Sequence, residues 1–206
     1  GDGDHRNRPP YPHPTHIRPG LDYMVLCLRH QPYTDVVVTW RAREERHDDG
    51  TLRSIGVSNF SPDRLIDLTV FSRIAPALNQ VEINPFYQQA GNVAFMEENG
   101  VQPQSWASFA EGRNNLFQNP VLLNIAEKHG KSVAQVVLRW LIQRGVVVIP
   151  KSVNPERMKQ NLDVFDFALN AEEIDTIALM DTGVSCFHSH TDPVRIRKIS
   201  QIRCNT

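Results

Sequence analysis

The stretch "IGVSNFSPDRLIDL", residues 55–68, contains the pattern on which the fold assignment depends. It opens with a short apolar run that is typical of a buried strand. It continues into an amphipathic helix, with Ser61 at the N-cap and Pro62 at the first helical position, both favoured at helix starts. Between strand and helix stand Ser58 and Asn59, whose side chains contribute nothing to an apolar core. A strand that passes directly into a helix predicts one β/α unit with a polar junction.

The same alternation of apolar runs and amphipathic segments recurs along the chain. It predicts about five parallel strands with outer helices, which is an α/β fold with helical crossovers. The strands are expected at 23–28, 53–57, 77–83, 101–107 and 146–150. Helices are expected at 35–49, from Ser61 and at 92–99. Two helical stretches follow, and the second starts with a capping box at Ser132. The last two helices are expected from Asn154 and at 170–180.

Each predicted strand ends in polar or aromatic residues that a core does not need. These residues are His30, Ser58 with Asn59, Gln80, Trp106, and Lys151 with Ser152. A single polar residue at a strand end often only caps the next helix. Five such ends on one sheet edge favour a ligand site, because parallel α/β folds bind ligands at the carboxyl ends of their strands.

Four stretches resemble the aldo-keto reductase family, whose members are (β/α)8 barrels that use NADPH. They are "GVSNFSPDRL" (56–65), "NQVEINPF" (79–86), "WASFAEGRNNLF" (106–117) and "VVVIPKSVNPERMKQN" (146–161). The resemblance covers roughly residues 21–193. It implies a partial (β/α)8 TIM barrel and an oxidoreductase that reduces a small aldehyde or ketone to an alcohol with NADPH.

The resemblance assigns roles to the strand-end residues. Ser58, Asn59 and Gln80 would hold the nicotinamide carboxamide, a group that needs both donors and acceptors. Trp106 would stack on the nicotinamide ring. The alternative, an ordinary core tryptophan, is weaker because the flanking motif fits the family. His30 would be the catalytic histidine that orients the substrate carbonyl beside a tyrosine. Taken alone, a histidine at a strand end is more often structural.

The stretch "KSVNPERMKQN" predicts a phosphate site on physical grounds as well. Lys151, Ser152 and Arg157 bring two cations and a hydroxyl to the start of a helix, where phosphate groups bind well. By resemblance these residues hold the 2′-phosphate of NADPH, and Gln160 and Asn161 approach the adenine. The alternative is a solvated basic helix face.

The departures from the family pattern concern catalysis. A full reductase has three further β/α units before the strand that carries His30, and these supply an aspartate, a proton-donating tyrosine and a lysine. The sequence therefore resembles the family barrel from its fourth strand onward and predicts a truncated chain that is inactive alone. The alternative is a non-catalytic relic that binds NADPH or has a regulatory role. Arg29 and Arg43 also stand where the family has apolar residues, and an unpaired buried arginine is costly.

Five strands cannot close a barrel that needs eight, so two sheet edges are expected to lie open. Open edges predict self-association.

The chain is expected to divide into a proline-rich disordered arm (1–20), the partial barrel (21–193) and a C-terminal tail (194–206). His188 and His190 are interpreted as part of a loop over the site mouth, and no metal site is predicted.

Composition limits the other function classes. The chain has 206 residues and a formal net charge of -1, which gives no reason to expect nucleic acid or an anionic membrane as partner. Its three scattered cysteines argue against a disulfide framework and predict a cytoplasmic location.

Overall fold

The computed structural model describes residues 23–33 and 35–200 of the chain, the last of them by its backbone alone. The predicted arm and the last six residues of the predicted tail lie outside the described residues.

The five predicted strands form one parallel sheet in chain order, which confirms the predicted fold class. Cα partners run across the sheet from Ser58 to Gln80 and from Gln80 to Gln104. The strand ends therefore share one edge, as the alternation of elements predicts. The strands are β1 (Cys27–Arg29), β2 (Ile55–Ser58), β3 (Leu78–Glu82), β4 (Gln102–Trp106) and β5 (Val147–Val148).

Helices connect the strands and lie along the sheet. They are α1 (Val36–Asp48), α2 (Pro62–Phe71), α3 (Ala90–Glu98), α4 (Pro120–His129), α5 (Val133–Gln143), α6 (Pro155–Leu162), α7 (Ala171–Ala178) and α8 (Pro193–Ser200). Irregular 3₁₀ turns occupy Ala110–Gln118. The segment of α8 was expected only as the start of a tail.

The helix starts follow the sequence signals with one difference. Ser132 forms the predicted capping box with Gln135, so its hydroxyl and the Gln135 side chain satisfy each other's backbone N–H groups. Ser61 precedes α2 as expected but makes no capping hydrogen bond. Its hydroxyl instead bonds to the Asp63 carboxylate, which lowers the pKa of that group. Pro62 at the first helical position has no N–H that needs a cap.

The core lies between the sheet and the helices. Val57 and Ile83 project from the strands, and Trp40 and Trp140 meet them from α1 and α5; all four are buried. On the opposite face of the sheet, β2 has a glycine, Gly56, where a side chain would not fit. A Cβ there would lie 2.8 Å from Leu28 Cδ2 and 2.9 Å from the Leu78 carbonyl oxygen. Only glycine fits, because the neighbouring strands close over this position.

The two unexpected arginines have partners. The Arg29 guanidinium donates to Thr39 Oγ1 at 2.5 Å and to the Tyr33 carbonyl oxygen at 2.6 Å. Arg43 donates to the Thr39 carbonyl oxygen at 2.9 Å. Burial, together with the charge of Arg43, lowers the pKa of Arg29. The predicted penalty of unpaired burial is therefore reduced by these hydrogen bonds.

The sheet has two outer strands. Within residues 23–33 and 35–200, β1 pairs only with β2, and β5 pairs only with β4. The helix after β5, α6, has no buried residue, and its apolar side chains Met158 and Leu162 are exposed. No helix of the described residues is long and apolar enough to span a bilayer.

Candidate functional site

The ends of β1 to β4 bring five residues into contact, which we call the strand-end cluster: His30, Ser58, Asn59, Gln80 and Trp106. Asn59 stands at its centre. The Asn59 amide nitrogen donates to the His30 carbonyl oxygen at 3.2 Å and to Ser58 Oγ at 3.1 Å. The Asn59 amide oxygen accepts a hydrogen bond from Trp106 Nε1 at 2.8 Å. The cluster is one hydrogen-bonded unit across four strands.

Backbone geometry explains why an asparagine occupies this position. Asn59 has a φ of 61°, in the left-handed region that asparagine tolerates better than most residues. This turn lets its own N–H donate to the Gln80 carbonyl oxygen at 2.9 Å. Ser58 Oγ donates to the same oxygen at 2.8 Å. The end of β2 is thereby fixed to β3, and the Asn59 amide lies across the sheet edge.

One member of this network was missed from the sequence. Gln80 Nε2 donates to Gln104 Oε1 at 2.7 Å, and the Gln104 side chain is buried. Gln104 lies two residues before Trp106 on β4, so the two side chains face the same side of the sheet. The alternation of side chains along β4 was therefore the sequence signal that could have identified Gln104.

The remaining predicted residues line a second site, which we call the basic cavity. It has a volume of about 660 Å³ and lies beside the end of β5 and the start of α6. Phe109, Phe117 and Leu123 provide an apolar wall. The polar wall contains all five residues predicted for this region, namely Lys151, Ser152, Arg157, Gln160 and Asn161.

The charges of the basic cavity are available to an anion. No carboxylate in the described part of the chain lies within ion-pair distance of Lys151 or Arg157. The Asn154 side chain caps α6 by accepting from the Arg157 backbone N–H at 3.2 Å. This cap holds Arg157 in the first turn of the helix, where the helix dipole also favours negative charge. The cavity combines the positive charges of Lys151 and Arg157 with aromatic surface, and Glu111 is the one acidic residue among the described residues that line it.

A segment that the sequence predicted only as a loop over the site mouth, from His188 and His190, crosses the strand-end cluster. We call residues 183–190 the C-terminal strap. The Glu82 carboxylate, at the end of β3 and 3% exposed, anchors its first half. This carboxylate accepts hydrogen bonds from Ser185 Oγ at 2.5 Å and from the Cys186 backbone N–H at 2.9 Å. Such charge-assisted bonds are stronger than neutral ones.

The second half of the strap packs around Trp106. The Phe187 ring lies 5.3 Å from the Trp106 ring, centroid to centroid, and the His190 ring lies 5.9 Å from it. The Tyr33 hydroxyl donates to the His190 carbonyl oxygen at 2.7 Å, and His190 Nδ1 bonds to Gln31 Oε1 at 3.3 Å. The strap is thus held from β1 as well as from β3.

The predicted histidines differ in their surroundings. The His30 side chain is exposed, and Tyr33, close to it in sequence, uses its hydroxyl on the strap. Burial lowers the pKa of His190 to about 4, and the nearby His188 and Arg195 add to the effect. The described residues contain no group of three or more histidine, cysteine, aspartate or glutamate side chains arranged to hold a metal ion.

Known proteins match most of this chain. A sequence model of the Aldo/keto reductase family matches residues 18–181. Morphine 6-dehydrogenase of Pseudomonas putida is 42% identical over 181 residues, which cover 81% of this chain and 61% of the relative. Glyoxal reductase of Bacillus subtilis is 46% identical over 158 residues, which cover 76% of this chain and 56% of the relative. The chain therefore spans about three fifths of the length of these curated relatives.

Solved structures give the same result for the fold. An aldo-keto reductase from a Medee basin deep-sea metagenome library aligns with a TM-score of 0.80 and 37% identity, over 84% of this chain and 66% of that one. An aldo-keto reductase of the silkworm Bombyx mori, crystallised with NADP, aligns with a TM-score of 0.77 and 34% identity. That alignment covers 86% of this chain and 62% of the silkworm chain.

Proposed function

Because the chain belongs to the aldo-keto reductase family, we propose that it binds NADPH with the strand-end cluster and the basic cavity. Its five strands would correspond to the family barrel from the fourth strand onward. The small-molecule substrate would be an aldehyde or ketone. We include a cytoplasmic location in the proposal, since Cys27 and Cys186 are both free thiols.

The basic cavity would hold the adenosine end of NADPH. Lys151, Ser152 and Arg157 would bind the 2′-phosphate, and Gln160 and Asn161 would contact the adenine. The observation that carries this assignment is the cavity itself, where both cations line an open space of about 660 Å³ and neither has a carboxylate within ion-pair distance among the described residues, although Glu111 also lines the cavity. Two cations at a helix start suit a phosphate monoester.

The strand-end cluster would hold the nicotinamide end. Ser58, Asn59 and Gln80 offer the mixture of donors and acceptors that a carboxamide needs, and Trp106 offers an aromatic face. When bound, NADPH supplies a hydride to a carbonyl carbon. His30 would orient the carbonyl oxygen from the end of β1. Asn59 would exchange its present hydrogen bonds for bonds to the carboxamide.

Cofactor preference tests the assignment of the basic cavity. We expect the chain to bind NADPH at least tenfold more tightly than NADH, and the double variant Lys151→Ala, Arg157→Ala to lose this preference. Each charge-assisted bond contributes about 1.5–3 kcal/mol, and about 1.4 kcal/mol corresponds to a factor of ten in affinity. The measurement is the dissociation constant of each nucleotide by titration calorimetry.

Lys159→Ala is the matched control, because Lys159 also lies on α6 but does not line the cavity. It should leave the preference within about twofold, since an exposed charge outside the site contributes little. A double variant that still discriminates between the two nucleotides contradicts the phosphate assignment.

A second candidate function is a non-catalytic NADPH-binding or regulatory protein. The hydrogen bond from the Tyr33 hydroxyl to the His190 carbonyl favours it, because the tyrosine nearest to His30 in sequence is already engaged elsewhere. In the part of the chain that the structure describes, β1 and β5 each pair with one strand only, which further supports self-association, since unpaired strand edges accept further strands.

A further inference from the structure

The C-terminal strap and the strand-end cluster are joined at Trp106. Phe187 is held between the Trp106 ring and the Arg113 guanidinium, which lies 4.4 Å from the Phe187 ring centroid. His190 meets Trp106 in a T-shaped contact. The Trp106 indole N–H is bonded to Asn59. Two rings of the strap and the Asn59 amide therefore contact an indole that is only partly buried.

The basic cavity, in contrast, has no wall from the strap. Its lining residues come from 109–134 and from 151–161, and none belongs to residues 183–190. A ligand that occupies only this cavity can bind while the strap remains in place. A ligand ring that stacks on the side of Trp106 where Phe187 lies must displace Phe187.

Glu82 anchors the first half of the strap. Its carboxylate is buried and receives Ser185 Oγ and the Cys186 N–H on the strap, together with Asn84 Nδ2 at 3.2 Å. Ser185 Oγ also accepts from the backbone N–H groups of Phe187 and His188. Loss of the Ser185 hydroxyl therefore weakens both the anchor and the turn that presents Phe187.

We propose that the C-terminal strap is an autoinhibitory element that competes with a nicotinamide ring for the Trp106 face, with Glu82 as the residue that positions it. The inference rests on the proposed NADPH site and adds a regulated step to it. The adenosine end binds to the closed state, and the nicotinamide end binds only after the strap has moved away. A change that weakens the contacts of the strap with the rest of the chain should then increase the affinity for NADPH.

The test compares two ligands that share one end. NADPH carries both ends, whereas adenosine 2′,5′-bisphosphate carries only the adenosine and its phosphates. We expect Ser185→Ala to lower the dissociation constant of NADPH by about three- to tenfold, the scale of one net hydrogen bond. The dissociation constant of the bisphosphate should stay within about twofold. Titration calorimetry on the full 206-residue chain gives both values.

Ser189→Ala is the matched control, because Ser189 lies on the same strap but is exposed and its hydroxyl bonds only to Thr191. It should change neither constant. Phe187→Ala is the second variant and should also tighten NADPH selectively, since it clears the Trp106 face without altering the anchor.

The outcomes separate the two proposals. If the bisphosphate binds but both Ser185→Ala and Phe187→Ala leave NADPH unchanged or weaken it, the strap does not compete and this inference is wrong, while the cofactor assignment stands. If the unaltered chain and both variants bind neither ligand, the proposed function fails and the inference fails with it.

Discussion

Asn59 illustrates how far single residues could be interpreted from the sequence. Its polarity and its position after a strand predicted a site residue, and the structure brings it together with His30, Gln80 and Trp106. Its left-handed backbone could not be predicted from that position. Glu82 was not singled out either, because its partners lie 103 and 104 residues further along the chain. Local pattern reveals strand ends, but not which distant segment contacts them.

Gly56 provides a prediction at the scale of one residue. We expect Gly56→Ala to lower the free energy of unfolding by about 1–3 kcal/mol, the usual cost of overpacking a filled site. One of the three atoms that its Cβ would meet is a backbone carbonyl oxygen at 2.9 Å, which cannot move aside as a side chain can. Urea unfolding followed by circular dichroism measures the change.

Gly91→Ala is the control for that substitution. Gly91 lies in α3, and a Cβ there would meet nothing within 4 Å. The same change should therefore be neutral or should stabilise the chain by up to about 1 kcal/mol, since alanine is the better helix former. Equal losses for the two variants would mean that β1 and β3 do not close over Gly56.

At the scale of elements, helices and strands were predicted well where the sequence is locally periodic. The five strands follow apolar runs, and α5 and α6 begin at the helix-start signals Ser132 and Asn154. The strap has no such period. It is fixed by hydrogen bonds from Glu82, Tyr33 and Gln31, each more than 100 residues away in sequence. Its place over the cluster was predicted only in outline, from His188 and His190.

The strap should respond to acid through His190. The pKa of His190 in the folded chain, about 4, lies below its ordinary value of 6.5 because of burial and the neighbouring charges of His188 and Arg195. Between these two values the unfolded chain binds a proton that the folded chain does not. The free energy of unfolding should therefore fall as the pH decreases through this window, and the strap should loosen first.

Denaturant unfolding at pH 7 and pH 4.5 checks this expectation. His190→Asn removes the titrating group but keeps a side-chain N–H that can donate to Gln31. The variant should lose less stability between the two pH values than the unaltered chain. An identical loss in both proteins would assign the acid sensitivity to other groups.

For the whole molecule, the sequence predicted five parallel strands with outer helices, because each β/α unit carries its own local signals. The sequence could not predict which residues pack against the free edges of the two outer strands. Those contacts depend on surfaces outside the β/α unit to which each strand belongs. β1 and β5 form the ends of the described sheet, and α6 beside β5 keeps its apolar side chains exposed. The strand-end cluster lies at the edge of this one sheet, and the basic cavity is lined by residues from the segments 109–134 and 151–161 that follow β4 and β5.

We expect the 206-residue polypeptide, purified alone, to show no carbonyl reduction above background with NADPH and common aldehydes. Tyr33 bonds to the strap, so it is not positioned to protonate an alkoxide beside His30. Loss of a positioned general acid costs about 10²–10⁴ in rate. The assay follows NADPH absorbance with and without aldehyde. Steady oxidation that depends on aldehyde and disappears in His30→Ala would contradict the prediction.

The contact between Trp106 and the strap also gives the chain a built-in optical reporter. The chain has three tryptophans. Trp40 and Trp140 are buried, whereas Trp106 is only partly buried and lies beside Phe187 and His190. The two buried indoles emit as a constant background, shielded from aqueous quenchers such as iodide. Any change in iodide quenching that leaves the fold intact therefore reports on Trp106, so strap movement can be timed in a stopped-flow fluorimeter without an attached dye.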